Sequence, residues 1–313
     1  MSSNNKVNVA QIGVGYWGPN LLRNLDETPK FEPYKVADIS SDRRSFVSSL
    51  YPKTAVTGDI KEILDDSTIE AVVIATPVNS HYELSMKVLE SGKHILVEKP
   101  MATTVQEVDQ IGILAERNNL VAMVGHTFLY NPAVWAVKEI IDSGELGDIR
   151  YIYSQRVNLG RIRSDVDALW NFAPHDISIV QYWLGEISPI SIKRSGMAYV
   201  QPGIEDVSFL NLQYPENILV NIHVSWLDPR KVRRITVVGS EKMVIYDDLA
   251  DEKVVIYDKG IDQMAILGEN MDFDSIPNNS FNHRSGKART IQMTWQEPLK
   301  VQVDHFADCI LSG

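Results

Sequence analysis

A glycine-rich turn joins the first apolar run of the chain to its first helical pattern. Gly13, Gly15 and Gly18 form G-x-G-x-x-G at the end of the run 7–13, which contains Val7, Val9 and Ile12, and Pro19 suits the first turn of the helix that follows. Glycines at these spacings permit a tight turn and let backbone N–H groups approach a pyrophosphate at the helix N-terminus. The pattern therefore predicts a strand, a turn and a helix that together hold a dinucleotide.

Strand patterns alternate with helical patterns over the first 125 residues. Short runs rich in Val and Ile occupy residues 7–13, 34–38, 71–75, 94–98 and 121–125. Capping-box spacing marks helix starts at Ser80 with Glu83 and at Thr104 with Glu107, and Gly92 stands where a helix ends. This alternation predicts a parallel, doubly wound sheet with right-handed crossovers, which is the Rossmann arrangement.

The pattern changes after residue 125. One helix is predicted over residues 132–143 and a second over residues 174–184, opened by Pro174. Extended segments with short links occupy residues 148–157, 188–197, 207–214, 218–226, 232–238, 243–246 and 254–257. Consecutive strands with short links favour an open, mostly antiparallel sheet with helices on one face. The predicted fold is α/β, with an NAD-binding Rossmann domain over residues 1–125 and a second α/β domain over residues 126–313, in which the polar residues 260–290 fit no element.

Charge and composition exclude several classes of function. The 30 Lys and Arg residues against 41 Asp and Glu residues give a net charge of −11 without a basic tract, which argues against nucleic-acid binding. Cys309 is the single cysteine, so no internal disulfide is expected, and the Cys and His spacings match no metal site. The N-terminus does not resemble a signal peptide, and the apolar runs fall short of the roughly 18 residues that cross a bilayer. We expect a cytoplasmic protein without metal or membrane contact.

Asp38 is the expected contact for the adenosine ribose. It ends the second predicted strand, 25 residues after Gly13, close to the position at which an acid binds the ribose hydroxyls of NAD. A carboxylate there repels the 2′-phosphate of NADP, whereas Arg43 and Arg44 could neutralise that phosphate. A solvated helix face is the simpler explanation of the two arginines, so the sequence favours NAD.

The tripeptide Glu98-Lys99-Pro100 stands at the end of the fourth predicted strand, at the sheet edge where doubly wound folds bind their ligands. Beside an oxidised nicotinamide Lys99 should lose proton affinity, and its ammonium could stabilise a developing alkoxide. Other candidates for flanking the ribose rings of the cofactor are Thr76, Pro77, Asn79 and His81, which follow the third predicted strand. A plain helix cap at Asn79 or Ser80 explains part of that segment without a ligand.

His175 is the candidate proton acceptor of the second domain. Residues 170–176 read Trp-Asn-Phe-Ala-Pro-His-Asp, so Pro174 would place His175 in the first turn of a helix. The positive end of the helix dipole there favours the neutral ring, which can accept a proton. Most lone histidines are structural, and His126 is interpreted in that way.

Further polar residues stand near the predicted start of the second domain and before the His175 helix. Arg156, Arg161 and Arg163 carry guanidinium groups that suit phosphate, although a solvated basic loop explains them equally well. Tyr130 could bond a sugar hydroxyl, and Asn131 could line the same site. Both residues could equally cap the helix that begins at residue 132.

In combination, the glycine fingerprint, Glu98-Lys99-Pro100 and the helix-borne His175 resemble the glucose–fructose oxidoreductase, inositol dehydrogenase and rhizopine-catabolism (Gfo/Idh/MocA) superfamily over essentially the whole chain. The resemblance implies a dehydrogenase of a sugar or cyclitol in which Lys99 and His175 are catalytic. Asn171 stands where many members have an aspartate, so a possible carboxylate partner of His175 is missing. Members usually continue past the segment resembling residues 301–312 into another helix, so we expect either further chain or different terminal packing.

Two segments resemble one bacterial branch of this superfamily. Gly15-Tyr16-Trp17-Gly18 and Ala173-Pro174-His175-Asp176 look like dehydrogenases that oxidise C3 of UDP-N-acetylglucosamine or of its uronic acid, a step used in polysaccharide biosynthesis. The resemblance implies cofactor contacts at Tyr16 and Trp17, and a UDP-linked sugar contacted by Lys99, Tyr130, Asn131, Arg156, Arg161, Asn171 and His175. The alternatives are a dehydrogenase of a free sugar or cyclitol and an inactive NAD(P)-sensing regulator.

A homodimer or homotetramer is also expected. An open sheet leaves one face uncovered, and apolar side chains such as Val220, Ile222 and Val224 or their neighbours would then be exposed. In the superfamily that this chain resembles, the open sheet often forms a dimer face.

Overall fold

The computed structural model describes residues 6–164, 166–185, 187–264 and 280–312. The chain divides into two compact units, one formed by Met1–Tyr130 with Gln296–Gly313 and the other by Asn131–Trp295. The boundary lies five residues beyond the expected one at residue 125. The expected division also assigned the last 18 residues to the second domain, whereas the structure places them with the first unit.

Six parallel strands form the sheet of the first unit, in the order β3-β2-β1-β4-β5-β6. The strands are β1 (Val7–Ile12), β2 (Phe31–Ala37), β3 (Ala55–Thr57), β4 (Ala71–Ile74), β5 (His94–Glu98) and β6 (Ala122–Gly125), and the helices are α1 (Gly18–Glu27), α2 (Ser41–Leu50), α3 (Lys61–Leu64), α4 (His81–Glu90) and α5 (Val105–Arg117). The predicted Rossmann arrangement and its five strands are confirmed. Strand β3 was missed because three residues are too few to show a period.

The two predicted capping boxes have different outcomes. At the start of α5 the Thr104 hydroxyl accepts the Glu107 N–H at 3.2 Å, and the Glu107 carboxylate accepts the Thr104 N–H at 3.1 Å, so this box is confirmed. The box at Ser80 is wrong, because no side-chain cap forms at the start of α4. The Ser80 hydroxyl instead lies 2.7 Å from the Thr76 hydroxyl and donates to the Pro77 carbonyl.

An eight-stranded sheet forms the second unit, in the order β14-β13-β12-β11-β7-β10-β9-β8. Its elements are α6 (Pro132–Asp142), β7 (Ile149–Leu159), α7 (Ala168–Leu184), β8 (Ser191–Met197), β9 (Val207–Gln213), β10 (Leu219–Ser225), β11 (Leu227–Gly239), β12 (Met243–Asp247), β13 (Val254–Met264) and β14 (Ser280–Thr290). Among the described strands of this second sheet, β7 and β10 pair in parallel and the other pairs are antiparallel, which confirms the mostly antiparallel sheet. The unassigned residues 260–290 supply the end of β13 and all of β14, and residues 265–279 lie outside the described ranges.

Helix α7 packs on β10 and covers one face of the sheet. Val220, Ile222 and Val224 are fully buried, so the expectation that these three side chains are exposed is wrong. Side chains alternate along a strand, and these three point to the face that is buried. The expectation holds for their neighbours on the other face, where the rings of Phe209 and His223 stack at 4.3 Å and Phe209 is 40% exposed.

Helix α8 (Pro298–Ser312) explains why the last residues belong to the first unit. It buries Leu299, Val303 and Phe306 in the cluster that also contains Phe31, and the two phenylalanine rings lie 5.8 Å apart. Both faces of the parallel sheet are thereby covered, as such sheets require. No helix in the described ranges has the length and the apolar content needed to cross a membrane.

We predict that Phe306→Ala lowers the free energy of unfolding by about 3–5 kcal/mol, because it leaves a cavity in a fully buried cluster. Urea denaturation of the purified variant measures this loss. Leu311→Ala on the same helix is the control, because Leu311 is 48% exposed and its truncation should change the free energy by about 0.5 kcal/mol or less. Equal losses in the two variants would show that α8 is not docked through Phe306.

Candidate active site

The glycine turn between β1 and α1 packs against the end of β4. Gly13 has a φ of +93°, which favours glycine, and a Cβ there would lie 2.7 Å from the carbonyl oxygen of Ala75. A Cβ on Gly18 would lie 2.6 Å from the carbonyl oxygen of Gly13. Gln11, buried in β1, donates from Nε2 to the carbonyls of Gly13 and Gly18, both at 2.9 Å. The role of Gln11 in this turn was not predicted from the sequence. The available signal was a polar residue inside a predicted buried strand.

Gly15 is the position of this turn that faces open space. A Cβ there would meet nothing within 4 Å, so a side chain would occupy space that the glycine leaves free. Tyr16, which follows, is 83% exposed. Because the turn leads into the N-terminus of α1, N–H groups and the helix dipole favour a phosphate there. The turn therefore fits the pyrophosphate of a dinucleotide such as NAD.

Asp38 follows β2 and lies beside the glycine turn. Its two carboxylate oxygens accept the backbone N–H of Val14 at 2.7 Å and that of Ser40 at 2.8 Å. Each oxygen keeps a second lone pair that can accept a ribose hydroxyl. Arg44 donates to the backbone carbonyl of Asp38 at 2.7 Å, which holds its guanidinium at the end of β2, and Arg43 is exposed.

Glu98 ends β5 and is bonded to the glycine turn. One of its oxygens accepts the indole N–H of Trp17 at 2.9 Å, and the other accepts the backbone N–H of Lys99 at 3.3 Å. A Cβ on Gly125 would lie 3.1 Å from the carboxylate, so this glycine makes room for Glu98. Burial raises the pKa of Glu98 to about 7, while the charge of Lys99 and the bond from Trp17 act in the opposite direction. Lys99 is half-buried, and the Lys99–Pro100 peptide bond is cis.

His126 follows β6 beside the lysine and was interpreted as structural from the sequence. Strands β5 and β6 pair with Glu98 opposite Gly125, so Lys99 and His126 are the next residues at adjacent strand ends. Burial and the charge of Lys99 lower the pKa of His126. Its Nδ1 is buried and has no hydrogen-bond partner among the described residues, which is uncommon for a structural histidine. The sequence signal for a site role of His126 was its position, one residue beyond the end of a predicted strand.

The turn after β4 holds four predicted cofactor contacts. Pro77 and Asn79 are exposed, and Thr76 is half-buried. His81 is only 2% exposed, and its ring lies between the carbonyl oxygens of Thr76 and Pro100, at 2.8 Å from each. The structure therefore contradicts a direct contact of His81 with the cofactor, because backbone carbonyls occupy both ring nitrogens.

Tyr130 ends the first unit and contacts α8. Its hydroxyl lies 2.8 Å from Nδ1 of His305, whose Nε2 lies 3.4 Å from Sγ of Cys309. Burial, with Cys309 nearby, raises the pKa of Tyr130 to about 12, so the hydroxyl stays protonated. The hydroxyl thus has a protein partner, and its bond to a sugar stays a prediction.

Asn131 is a helix cap, which contradicts its assignment as a substrate contact. Its side-chain oxygen accepts the Ala133 N–H at 2.9 Å at the start of α6, and its Nδ2 donates to the Tyr246 hydroxyl at 3.1 Å. The residue is 1% exposed. Of the two interpretations that the sequence left open, the structure shows the cap, because both amide atoms are bonded inside the second unit.

Arg156 is buried, which contradicts its expected contact with a diphosphate. From β7 its Nε and Nη2 donate to the two carboxylate oxygens of Asp176 on α7, at 2.8 and 3.1 Å. The side chains of Arg156 and Asp176 are 5% and 1% exposed, so the pair is a buried link between β7 and the helix that carries His175. Arg161 and Arg163, by contrast, are exposed in the segment between β7 and α7.

His175 and Asn171 lie inside α7 rather than at its start. The helix begins at Ala168, where the Asp167 side chain accepts a backbone N–H at 2.8 Å, so the prediction that Pro174 opens the helix is wrong. His175 is therefore about two turns from the N-terminus, beyond the first turn in which the helix dipole acts. Asn171 and His175 are four residues apart, so they share a face of the helix, and both are half-buried.

Comparison with known families agrees with both units. Residues 7–126 match the oxidoreductase family with an NAD-binding Rossmann fold, and residues 134–245 match the GFO/IDH/MocA C-terminal domain. The chain belongs to the Gfo/Idh/MocA superfamily. The resemblance stated from the sequence is thereby confirmed, together with an NAD-binding Rossmann domain and membership of an oxidoreductase family.

Individual Gfo/Idh/MocA proteins show how far the similarity extends. The scyllo-inositol 2-dehydrogenase (NADP(+)) IolW of Bacillus subtilis is 31% identical over 173 residues, which span 53% of this chain and 46% of that enzyme. The crystal structure of a protein from Magnetospirillum magnetotacticum described as an oxidoreductase is 27% identical, with a TM-score of 0.79 and coverage of 97% of this chain and 91% of that one. UDP-N-acetylglucosamine 3-dehydrogenase GnnA from Acidithiobacillus ferrooxidans shares the fold at 19% identity, with a TM-score of 0.79 and coverage of 98% and 89%.

The raised pKa of Glu98 gives a pH-dependent stability with a definite sign. The stabilising contribution of this carboxyl to the free energy of unfolding is fully present below its ordinary pKa of 4.5. The contribution is lost as the pH rises through about 7. We predict that Glu98→Gln removes this loss, because glutamine does not ionise. The free energy of unfolding of the variant, relative to that of the wild type, should therefore rise by about 3 kcal/mol between acidic pH and about pH 8. Urea denaturation of both proteins across this range measures the difference.

Glu83→Gln is the control for this measurement. Lys87 lowers the pKa of Glu83, so the contribution of Glu83 is present at neutral pH and is lost as the pH falls. The difference between this variant and the wild type should therefore change with pH in the opposite direction. A Glu98→Gln difference that stays constant with pH would contradict the raised pKa.

Proposed function

We propose that this protein is an NAD-dependent dehydrogenase that transfers a hydride between a sugar carbon and the nicotinamide. The observation that carries the proposal is the placement of Lys99 at the end of β5, on the sheet edge that also holds the open glycine turn and Asp38. Strands β1, β4 and β5 are parallel neighbours, so their carboxyl ends share one edge. Ligands of doubly wound folds bind at this edge.

The chain's own residues supply the proton chemistry of this proposal. Oxidation of a secondary alcohol removes a hydride from carbon and a proton from oxygen, and bound NAD supplies the hydride acceptor. The Lys99 ammonium stabilises negative charge that develops on the hydroxyl oxygen. His175 takes the hydroxyl proton, as the superfamily pattern implies, and Asn171 on the same helix face can bond a substrate hydroxyl.

The proposed cofactor preference is for NAD over NADP. The Asp38 carboxylate can accept ribose hydroxyls and repels a 2′-phosphate. Arg44, which could have neutralised that phosphate, donates to the backbone carbonyl of Asp38. The Asp38 carboxylate is bonded to the glycine turn itself through the Val14 N–H, so it is the group that we expect to determine the preference.

The substrate proposed for this activity is an amino sugar linked to UDP and oxidised at C3. Its support is the similarity of the segments around Trp17 and His175 to that branch, together with the fold shared with the UDP-N-acetylglucosamine enzyme. Arg156 is buried, so we expect Arg161 and Arg163, which are exposed between β7 and α7, to contact the diphosphate.

A free cyclitol or sugar is the second candidate substrate. The burial of Arg156 removes one of the three expected phosphate ligands, and the relative that is 31% identical is a scyllo-inositol dehydrogenase.

We also propose a homodimer or homotetramer that covers the sheet face carrying Phe209 and His223.

Asp38→Ala tests the cofactor preference. We predict that the ratio of the NADPH and NADH dissociation constants falls about 10-fold to 100-fold, because the variant loses both a charged acceptor and the repulsion of the 2′-phosphate. The ratio is the proper readout, since a loosened glycine turn would weaken both cofactors alike. Fluorescence titration measures the two constants, and Asp42→Ala, exposed in the first turn of α2, is the control. An unchanged ratio would contradict the role of Asp38.

A substrate screen with matched variants tests the activity itself. Wild-type protein with NAD should form reduced nicotinamide, followed by absorbance, with a UDP-linked amino sugar, with a cyclitol or with a free sugar. Lys99→Met should slow single-turnover hydride transfer by about two to four orders of magnitude with little change in NADH affinity. A protein that binds NADH but turns over none of these compounds would be the cofactor-sensing regulator instead.

A further inference from the structure

The His81 side chain connects the two turns that border the sheet edge described above. It is the first residue of α4 and is 2% exposed. Its Nδ1 lies 2.8 Å from the carbonyl oxygen of Pro100, and its Nε2 lies 2.8 Å from the carbonyl oxygen of Thr76. Pro100 directly follows Lys99, and Thr76 opens the turn after β4, so one ring contacts both turns.

Both partners of the ring are carbonyl oxygens, which only accept hydrogen bonds. A neutral imidazole has one N–H, so one of the two contacts would place lone pairs against each other at 2.8 Å. The imidazolium form has two N–H groups and satisfies both carbonyls. We propose that His81 is a buried imidazolium that clamps the turn after β4 to the turn after β5 and so positions Lys99 for hydride transfer.

Among the described residues, no carboxylate forms an ion pair with this ring. On α4, Glu83 pairs with Lys87 at 2.5 Å. At the end of β5, the Glu98 carboxyl is bonded by Trp17, and Lys99 carries a positive charge. The N-terminus of α4 also disfavours a cation. The two short carbonyl contacts are therefore the interactions that hold the second proton, because charge-assisted hydrogen bonds are stronger than neutral ones.

The clamp gives His81 a positioning role in place of the expected cofactor contact. This role rests on the proposed dehydrogenase activity, since it concerns the placement of Lys99. A displacement of about 1 Å at a reacting group can slow a reaction about 100-fold. Loss of the clamp should therefore affect hydride transfer more than the binding of the dinucleotide, whose pyrophosphate site is the separate glycine turn.

The protonation state can be measured on the full chain without cofactor or substrate. Long-range proton–nitrogen NMR correlations of protein with nitrogen-15 histidine, at about pH 7.5, should show His81 with both ring nitrogens protonated, although an exposed histidine is mostly neutral there. His94 is the internal control, because its Nδ1 accepts the Val121 N–H at 2.9 Å and must be unprotonated. His81→Gln assigns the signal. A neutral His81 ring would overturn the proposal.

The positioning role is tested with His81→Leu, which removes both donors, and His81→Gln, which keeps an amide donor. We expect single-turnover hydride transfer to be about 100-fold slower in His81→Leu and partly restored in His81→Gln, with NADH affinity within about threefold of the wild type. His94→Gln at the opposite end of β5 should match the wild type. Normal hydride transfer in His81→Leu, or an equal loss of NADH affinity, would overturn the positioning role.

The two tests separate this inference from the proposed function. If wild-type protein oxidises no sugar, the proposed function fails, and the NMR result still decides whether the ring is a doubly protonated clamp. If His81→Leu does not fold, the wild-type spectrum and the His81→Gln kinetics still decide the outcome.

Discussion

The packing of the glycine turn on the end of β4 determines which position of that turn stays open to a ligand. Gly13 leaves room for the carbonyl of Ala75, and Gln11 holds the two carbonyls of the turn, so Gly15 is the position left open. Parallel pairing then places the end of β5, with Lys99, two strands from the end of β1 in the same sheet. Strand pairing and the contacts of the turns after β4 and β5 therefore determine the position of Lys99 relative to the glycine turn.

The first unit could be predicted well from the sequence because its signals are local. Buried parallel strands appear as continuous apolar runs such as Ala71–Ile74, and the glycine spacing is specific to one kind of turn. The return of α8 could not be predicted in the same way. An amphipathic pattern shows that Phe306 is buried but does not show which surface buries it, and the contact with Phe31 joins residues that are far apart in sequence.

The second unit shows where the sequence interpretation failed and which signal could have corrected it. Arg156 was assigned to a diphosphate because guanidinium groups suit phosphate, with a solvated basic loop as the alternative. Alternation along β7 places it on the face that holds Ile152 and Ser154, both fully buried, so exposure was the less consistent choice. A buried guanidinium requires a carboxylate partner, and Asp176 beside His175 meets that requirement at 2.8 Å. The helix start was predicted at Pro174, whereas the Asp167 side chain caps the helix two turns earlier.

The groups next to Lys99 influence how much of its positive charge can act on a ligand. A fully ionised carboxylate beside the lysine would neutralise that charge, but burial gives Glu98 a pKa of about 7, so near neutral pH it supplies only part of a negative charge. His126 is kept neutral by burial and by the lysine itself, so it adds no competing positive charge. A low-dielectric surrounding also strengthens the attraction of the ammonium for negative charge on a nearby oxygen. For the dehydrogenase activity proposed above, this arrangement favours a developing alkoxide over a neutral alcohol, which is the discrimination that hydride removal requires.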